Sequence, residues 1–132
     1  MRWNYSCPKC KAMLNPDETI ILIGRLEKVK CLMGFHPEPG NYKIFVPPGI
    51  TVNQGDIWNF SCPVCGQDLT AEQDEKLCAL NTNIEEETHL VLFSRVAGEK
   101  ATFIVGKTGL KERHGEHVES YLPRLIQMKY LL

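Results

Sequence analysis

Four cysteines in two close pairs, Cys7 with Cys10 and Cys62 with Cys65, are the residues whose type and spacing could do chemistry in this chain. Each pair forms a CPxC turn, in which two intervening residues let both sulfurs converge on one ion. Proline's fixed φ also lowers the entropy lost when the turn orders. Two such turns supply four thiolates, enough to close a tetrahedral shell and leave no position for a reactive water. Soft thiolates in that geometry suit zinc and also iron. A disulfide framework is the other use for six cysteines. However, the first residues, Met1 to Cys7, carry no apolar secretory stretch, and no later run is long enough to span a bilayer. The sequence therefore reads as a soluble, cytoplasmic chain whose paired thiols take a structural metal, zinc ahead of iron.

The pairs sit inside a longer repeat. Trp3-Asn4-Tyr5-Ser6-Cys7-Pro8-Lys9-Cys10, closing at Leu14, matches Trp58-Asn59-Phe60-Ser61-Cys62-Pro63-Val64-Cys65, closing at Leu69, with a constant offset of 55 residues (Cys7 to Cys62). In each copy the aromatics alternate with Asn and Ser, so a strand puts both aromatics and the first cysteine on one face, beneath the metal. Gly66 follows the second pair, where a residue without Cβ lets backbone amides approach a thiolate, and Lys11 occupies the matching place in the first. Residues 3–14 and 58–69 resemble the zinc ribbon superfamily, with rubredoxin-like CPxC knuckles. The resemblance implies two hairpin knuckles facing one another across a zinc held by Cys7, Cys10, Cys62 and Cys65. Rubredoxins, which share the knuckle, imply iron and electron transfer instead. The 51 residues between Cys10 and Cys62 exceed the roughly 15–20 of the simple zinc spacing, and the resemblance is confined to the knuckles.

Positioning these turns falls to a mainly β chain of the α+β class: a zinc-ribbon-like core with an inserted sheet, a C-terminal hairpin and one or two short helices. Thr19 to Gly24 is a β-branched apolar run and Lys28 to Met33 alternates charged with apolar residues, which predicts a hairpin turning near Arg25 to Glu27. Gly and Pro isolate a short strand around Tyr42 to Val46, and Asn53-Gln54-Gly55-Asp56 predicts a turn launching Ile57 to Phe60. Thr70-Ala71-Glu72-Gln73 reads as a capping box opening a short helix through Leu80, with Cys78 on its apolar side. His89 to Val96 and Lys100 to Val105 predict a hairpin across Ala97-Gly98-Glu99, and the chain from Glu116 reads as helical, restarted at Pro123. Val118, Leu122, Leu125 and Ile126 form a stripe expected to cover the core. The tail Met128 to Leu132 is apolar enough to suggest a partner surface. The expected organisation is one domain over residues 1–132: a split ribbon with its β insertion over 1–70, and the helix, hairpin and C-terminal helix of 71–132 packed on it.

Other residue groups are weaker. Cys31 and His36 lack close-spaced partners, and Glu85-Glu86-Glu87 reads as a solvated connection. Gly106-Lys107-Thr108 ends like a phosphate-binding loop, yet an apolar strand stands where the glycine-rich bend should be. His114-Gly115-Glu116 resembles the HxE of zinc deaminases in the wrong order relative to CPxC. His114 and His117, with Glu116 or His89, are candidates for a second metal cluster. With 15 Lys and Arg against 16 Asp and Glu, no global field attracts nucleic acid, although Trp3, Tyr5, Trp58 and Phe60 could stack on bases beside Lys9 and Lys11. The reading that survives is a small noncatalytic metal-binding protein, an interaction module or accessory subunit with a protein partner. Nucleic-acid binding and rubredoxin-like electron transfer are its alternatives.

Overall fold

The computed structural model describes residues 3–127. In chain order these residues form β1 (Tyr5–Ser6), β2 (Ile20–Leu26), β3 (Val29–Phe35), β4 (Ile44–Phe45), β5 (Asn59–Ser61), β6 (Leu77–Ile84), β7 (Glu87–Ser94), β8 (Thr102–Gly106) and β9 (Gly109–His114). A 3₁₀ turn, Val118–Ser120, and the helix α1, Leu122–Gln127, follow. The strands make two antiparallel sheets, ordered β4-β3-β2-β5 and β1-β6-β7-β8-β9. Both expected hairpins form, as β2–β3 turning at Glu27-Lys28 and as β7–β8. No helix among the described residues is long and apolar enough to cross a membrane.

The helix expected over 70–80 is not formed. Thr70 instead makes a β-bridge to Cys78, and Leu77 to Ile84 are strand β6. Tertiary burial overrides the capping pattern: Leu77, Cys78 and Leu80 are all fully buried, because β6 carries one core on each of its faces. A strand covered on both sides shows a continuous apolar run rather than alternation, and such a run does not declare its own period. Glu85 and Glu86 are the exposed two-residue turn of β6–β7, both at positive φ (51° and 67°), the conformation of a tight primed hairpin turn.

The repeat extends far beyond the knuckles. Past Leu14 and Leu69 the offset lengthens from 55 to 58, since Leu14 O accepts from Ile21 N while Leu69 O accepts from Ala79 N. From there the registers coincide. Leu26↔Val29 is matched by Ile84↔Glu87, Ile20↔Phe35 by Cys78↔Phe93, and Gly34↔Phe45 by Leu92↔Phe103. The molecule is thus two copies of a knuckle, a hairpin and a third strand. The copies exchange their first strands: β1 of the first pairs with β6 of the second, and β5 of the second pairs with β2 of the first.

One core lies between the sheets, with Leu22 and Met33 from one and Leu80, Val91 and Ile104 from the other around Trp58 and Phe60. The second lies on the outer face of the five-stranded sheet. There Leu77, Leu92, Phe103 and Val105 meet Val118, Tyr121, Leu122 and Leu125 of the C-terminal segment. The expected stripe does cover the core at Val118, Leu122 and Leu125. The side chain of Ile126 and the tail 128–132 lie outside the described residues. Pro123 falls in the first turn of α1, where its missing N–H costs no helix bond.

Candidate metal centre

Each knuckle is built by the same backbone bonds, 55 residues apart. Cys7 N donates to Ala12 O (2.9 Å) and Cys62 N to Gln67 O (3.0 Å), while Lys11 N and Gly66 N donate to Cys7 O and Cys62 O (2.9 Å each). These bonds force the residue after each second cysteine into the left-handed region, Lys11 at φ 68° and Gly66 at φ 75°. Two amides then aim at the first sulfur of each pair: Lys9 N and Cys10 N at Cys7 Sγ (3.3 and 3.4 Å), Val64 N and Cys65 N at Cys62 Sγ (3.3 and 3.5 Å). Such bonds stabilise thiolate over thiol.

The exchanged strands bring the knuckles face to face. All four sulfurs lie within 4.8 Å of one another, with Cys7 to Cys65 at 3.9 Å and Cys10 to Cys62 at 3.7 Å. Zinc–sulfur bonds of about 2.3 Å in a tetrahedron set the sulfurs roughly 3.8 Å apart, so the donor set fits such an ion with little movement. Cys7 and Cys62 are buried and Cys10 and Cys65 reach the surface, which gives the ion an entry path. Burial opposes ionisation of Cys7, but the amides of Cys10 and Lys9 and the neighbouring thiols overcome it and lower its pKa to about 7. The Ala12 amide favours a thiolate at Cys10 too. Partial desolvation and the three other sulfurs win there, raising its pKa to about 11. Within the first knuckle one thiolate forms readily and the other resists, and a cation among the sulfurs would favour both as thiolates.

No family model, curated protein or solved structure matches the chain.

Among the described residues these cysteines are the one such group of potential ligands. Cys31 and His36 stand apart from it, and Cys78 is fully buried, its thiol pushed well above the usual range by that burial. The histidines do not assemble. His89 is buried with Nδ1 3.0 Å from Glu87 O, His114 Nε2 meets Glu112 Oε1 at 2.8 Å, and His117 Nδ1 accepts from Lys100 N at 2.9 Å. Gly106-Lys107-Thr108 is the turn between β8 and β9, with no helix beginning at the lysine.

Three of the four knuckle aromatics face inward, Tyr5, Trp58 and Phe60 being 2–4% exposed, and Trp3 is half-buried against the same core. Tyr5, Trp58 and Phe60 are core residues and offer no open ring to a base. Phe60, Phe35 and Phe93 pack together with centroids 5.1–6.1 Å apart. They line a cavity of about 220 Å³ between the sheets. The hydroxyls around it are engaged within the protein: Tyr5 donates to Pro37 O, Tyr42 meets Thr102 and His114 O, and Ser94 donates to Glu99. What sequence reasoning missed is β6, β9 and the continuation of the duplication past the knuckles. A repeat search tolerating the three-residue lengthening after Leu69 was the signal that could have found the last.

Proposed function

We propose that this chain is a noncatalytic, zinc-stapled module that serves a protein partner as an interaction domain or accessory subunit in a reducing, cytoplasmic setting. The observation that carries the reading is the convergence of four sulfurs from two equivalent knuckles. Four protein ligands close a tetrahedral ion and leave no position for substrate or water, which is the arrangement of structural rather than catalytic zinc. In this reading the knuckles are zinc-ribbon-like, and Cys7, Cys10, Cys62 and Cys65 are the ligands. The exchange of β1 and β5 makes both copies one folding unit, which the metal locks at the point of crossing.

Elemental analysis of untagged protein tests this directly. One zinc per chain, lost together with the folded state on chelation, is expected; a metal-free protein that stays folded would overturn it. Iron in place of zinc would give a red, redox-active protein and move the reading to rubredoxin-like electron transfer. The nucleic-acid alternative is disfavoured by the buried aromatics and the balanced charge. Binding to single-stranded DNA or RNA with a steep salt dependence would revive it.

A further inference from the structure

The two copies differ in what covers their outer faces. In the second copy, Leu77, Leu92 and Phe103 lie side by side on the outer face and are fully buried under the C-terminal segment. Val118, Tyr121, Leu122 and Leu125 of that segment follow i, i+3, i+4, i+7 spacing, the footprint of one helical face. The residues at the same positions of the first copy are Thr19, Gly34 and Phe45, again side by side, since a Cβ on Gly34 would meet Thr19 Cγ2 at 2.9 Å and Phe45 Cβ at 3.3 Å. Gly34 is buried beneath its two neighbours and Thr19 is half-buried, but no helix among the described residues packs over this face as α1 does over the other. Phe45 is 44% exposed and Leu32, the counterpart of Leu90, is 57% exposed, with Ile21 and Ile23 beside them on the same face.

Charge distinguishes the possible occupants. Arg25 and Lys30 pair across β2 and β3 on this face, and Lys43 Nζ lies 5.3 Å from the Phe45 ring centroid. All three are exposed, and their counterparts Asn83, Thr88 and Ala101 are uncharged. The nearest carboxylates in sequence, Asp17, Glu18 and Glu27, lie in the flanking turns rather than on the sheet. A second copy of this chain docked face to face would set three cations against three, a like-charge arrangement that disfavours association. An occupant with carboxylates at its edges would pair with them.

Resting on the interaction-module reading, we propose that the outer face of the four-stranded sheet docks an amphipathic helix of a partner protein. That helix has an apolar stripe at i, i+3, i+4, i+7 and acidic flanks. It lies over Phe45, Leu32 and Ile21 as the C-terminal segment lies over Phe103, Leu90 and Ala79 of the second copy, and extends towards Ile23. Arg25, Lys30 and Lys43 fix its orientation.

The test uses a phage-displayed library of a 16-residue helix with a fixed Leu stripe at that spacing and randomised flanks, selected on full-length, zinc-loaded protein. Recovered clones should be enriched in Asp and Glu at the flanks. As synthetic peptides they should bind at least about tenfold more weakly to Phe45→Asp and Leu32→Asp, and about three- to tenfold more weakly to Lys30→Glu, with affinity falling as salt rises. Zinc content and circular dichroism of these exposed-site variants should match the parent. Recovery of no binders above background, or of clones as often basic as acidic, would overturn the proposal. So would a dimer in the ultracentrifuge that Phe45→Asp dissociates. Clones insensitive to Phe45→Asp would place docking elsewhere and leave the interaction-module reading standing, whereas loss of that reading would show as protein that folds without metal.

Discussion

The two copies share a knuckle, a hairpin and a third strand in the same register, yet only the second has been finished into a covered sheet. Its β8 continues to Gly106, β9 adds an edge, and the 3₁₀ turn and α1 fold back over the outer face. The first copy stops at the two-residue β4 and leaves Phe45 in the open. Backbone register therefore survives divergence that side-chain identity does not, and covering a face demands apolar bulk only where a cover exists. Gly34 stands where the second copy has Leu92, and Thr19 and Phe45 close over it, so that even a Cβ there would meet Thr19 Cγ2 at 2.9 Å.

The four-cysteine cluster is where the copies should be most alike, and breaking it should have the largest effect. Cys7→Ser and Cys62→Ser occupy equivalent buried positions, each receiving two amides. Each should abolish stoichiometric metal binding and cost more than about 4 kcal/mol, since structural zinc supplies much of the folding free energy of small domains. Metal analysis with thermal unfolding checks this. A folded, metal-loaded Cys62→Ser would sink the assignment, and a large difference between the two variants would break the symmetry of the knuckles.

The faces should separate next. Phe103 is fully buried against Tyr121 with centroids 6.4 Å apart, so Phe103→Ala should cost about 3–5 kcal/mol. Phe45→Ala, the matching change on the open face, should cost under about 1 kcal/mol in the isolated chain. Urea unfolding of both variants measures the difference, and equal costs would show that the first face is covered in solution.

A smaller effect tests the one irregularity in the repeat. Lys11 holds the left-handed conformation that Gly66 adopts without strain in the second knuckle. Lys11→Gly should stabilise the protein by about 1 kcal/mol, less whatever its exposed Nζ bond to Pro8 O contributes, and Gly66→Lys should destabilise it by a similar amount. Shifts of the same sign in the two melting curves would mean that the knuckles are not interchangeable.

How much of this was legible in the sequence follows from which residues bear fixed chemistry. The CPxC pairs and the alternating aromatics around them declare both the cysteines that converge and the face that is buried. The β2–β3 and β7–β8 hairpins are equally plain, the first from a β-branched run followed by alternating charged and apolar residues, the second from apolar runs on either side of Ala97-Gly98-Glu99. β6 was hidden because burial on both faces erased its alternation, and Thr70 to Gln73 offered a capping pattern that the strand pairing overrides. Gly109 to His114 of β9, with Lys111, Glu112 and Arg113 at its centre, has too few apolar residues to announce a strand that is held by pairing to β8. The duplication beyond Leu14 and Leu69 is carried by hydrogen-bond register, and pairs such as Gly34 with Leu92 or Thr19 with Leu77 keep no chemical likeness.

The most local expected effect is a pH dependence confined to the cover of the second copy. Burial, followed by hydrogen bonding to the Glu99 carboxylate, raises the Tyr121 phenol from 10.0 to about 12. Its folded pKa lies above its unfolded one, so the fold favours the neutral phenol. That contribution is whole below pH 10 and is lost as pH rises from 10 towards 12. Amide exchange in Leu122 to Gln127 should therefore accelerate over this window before the β2–β3 strands respond, and Tyr121→Phe should flatten the dependence while lowering stability at neutral pH through the lost bonds to Glu99 and Ser94. An unchanged alkaline slope in Tyr121→Phe would assign the effect to Tyr5, whose phenol is also raised by burial but lies in the core between the sheets. The two copies would then loosen together in alkali rather than the covered one first.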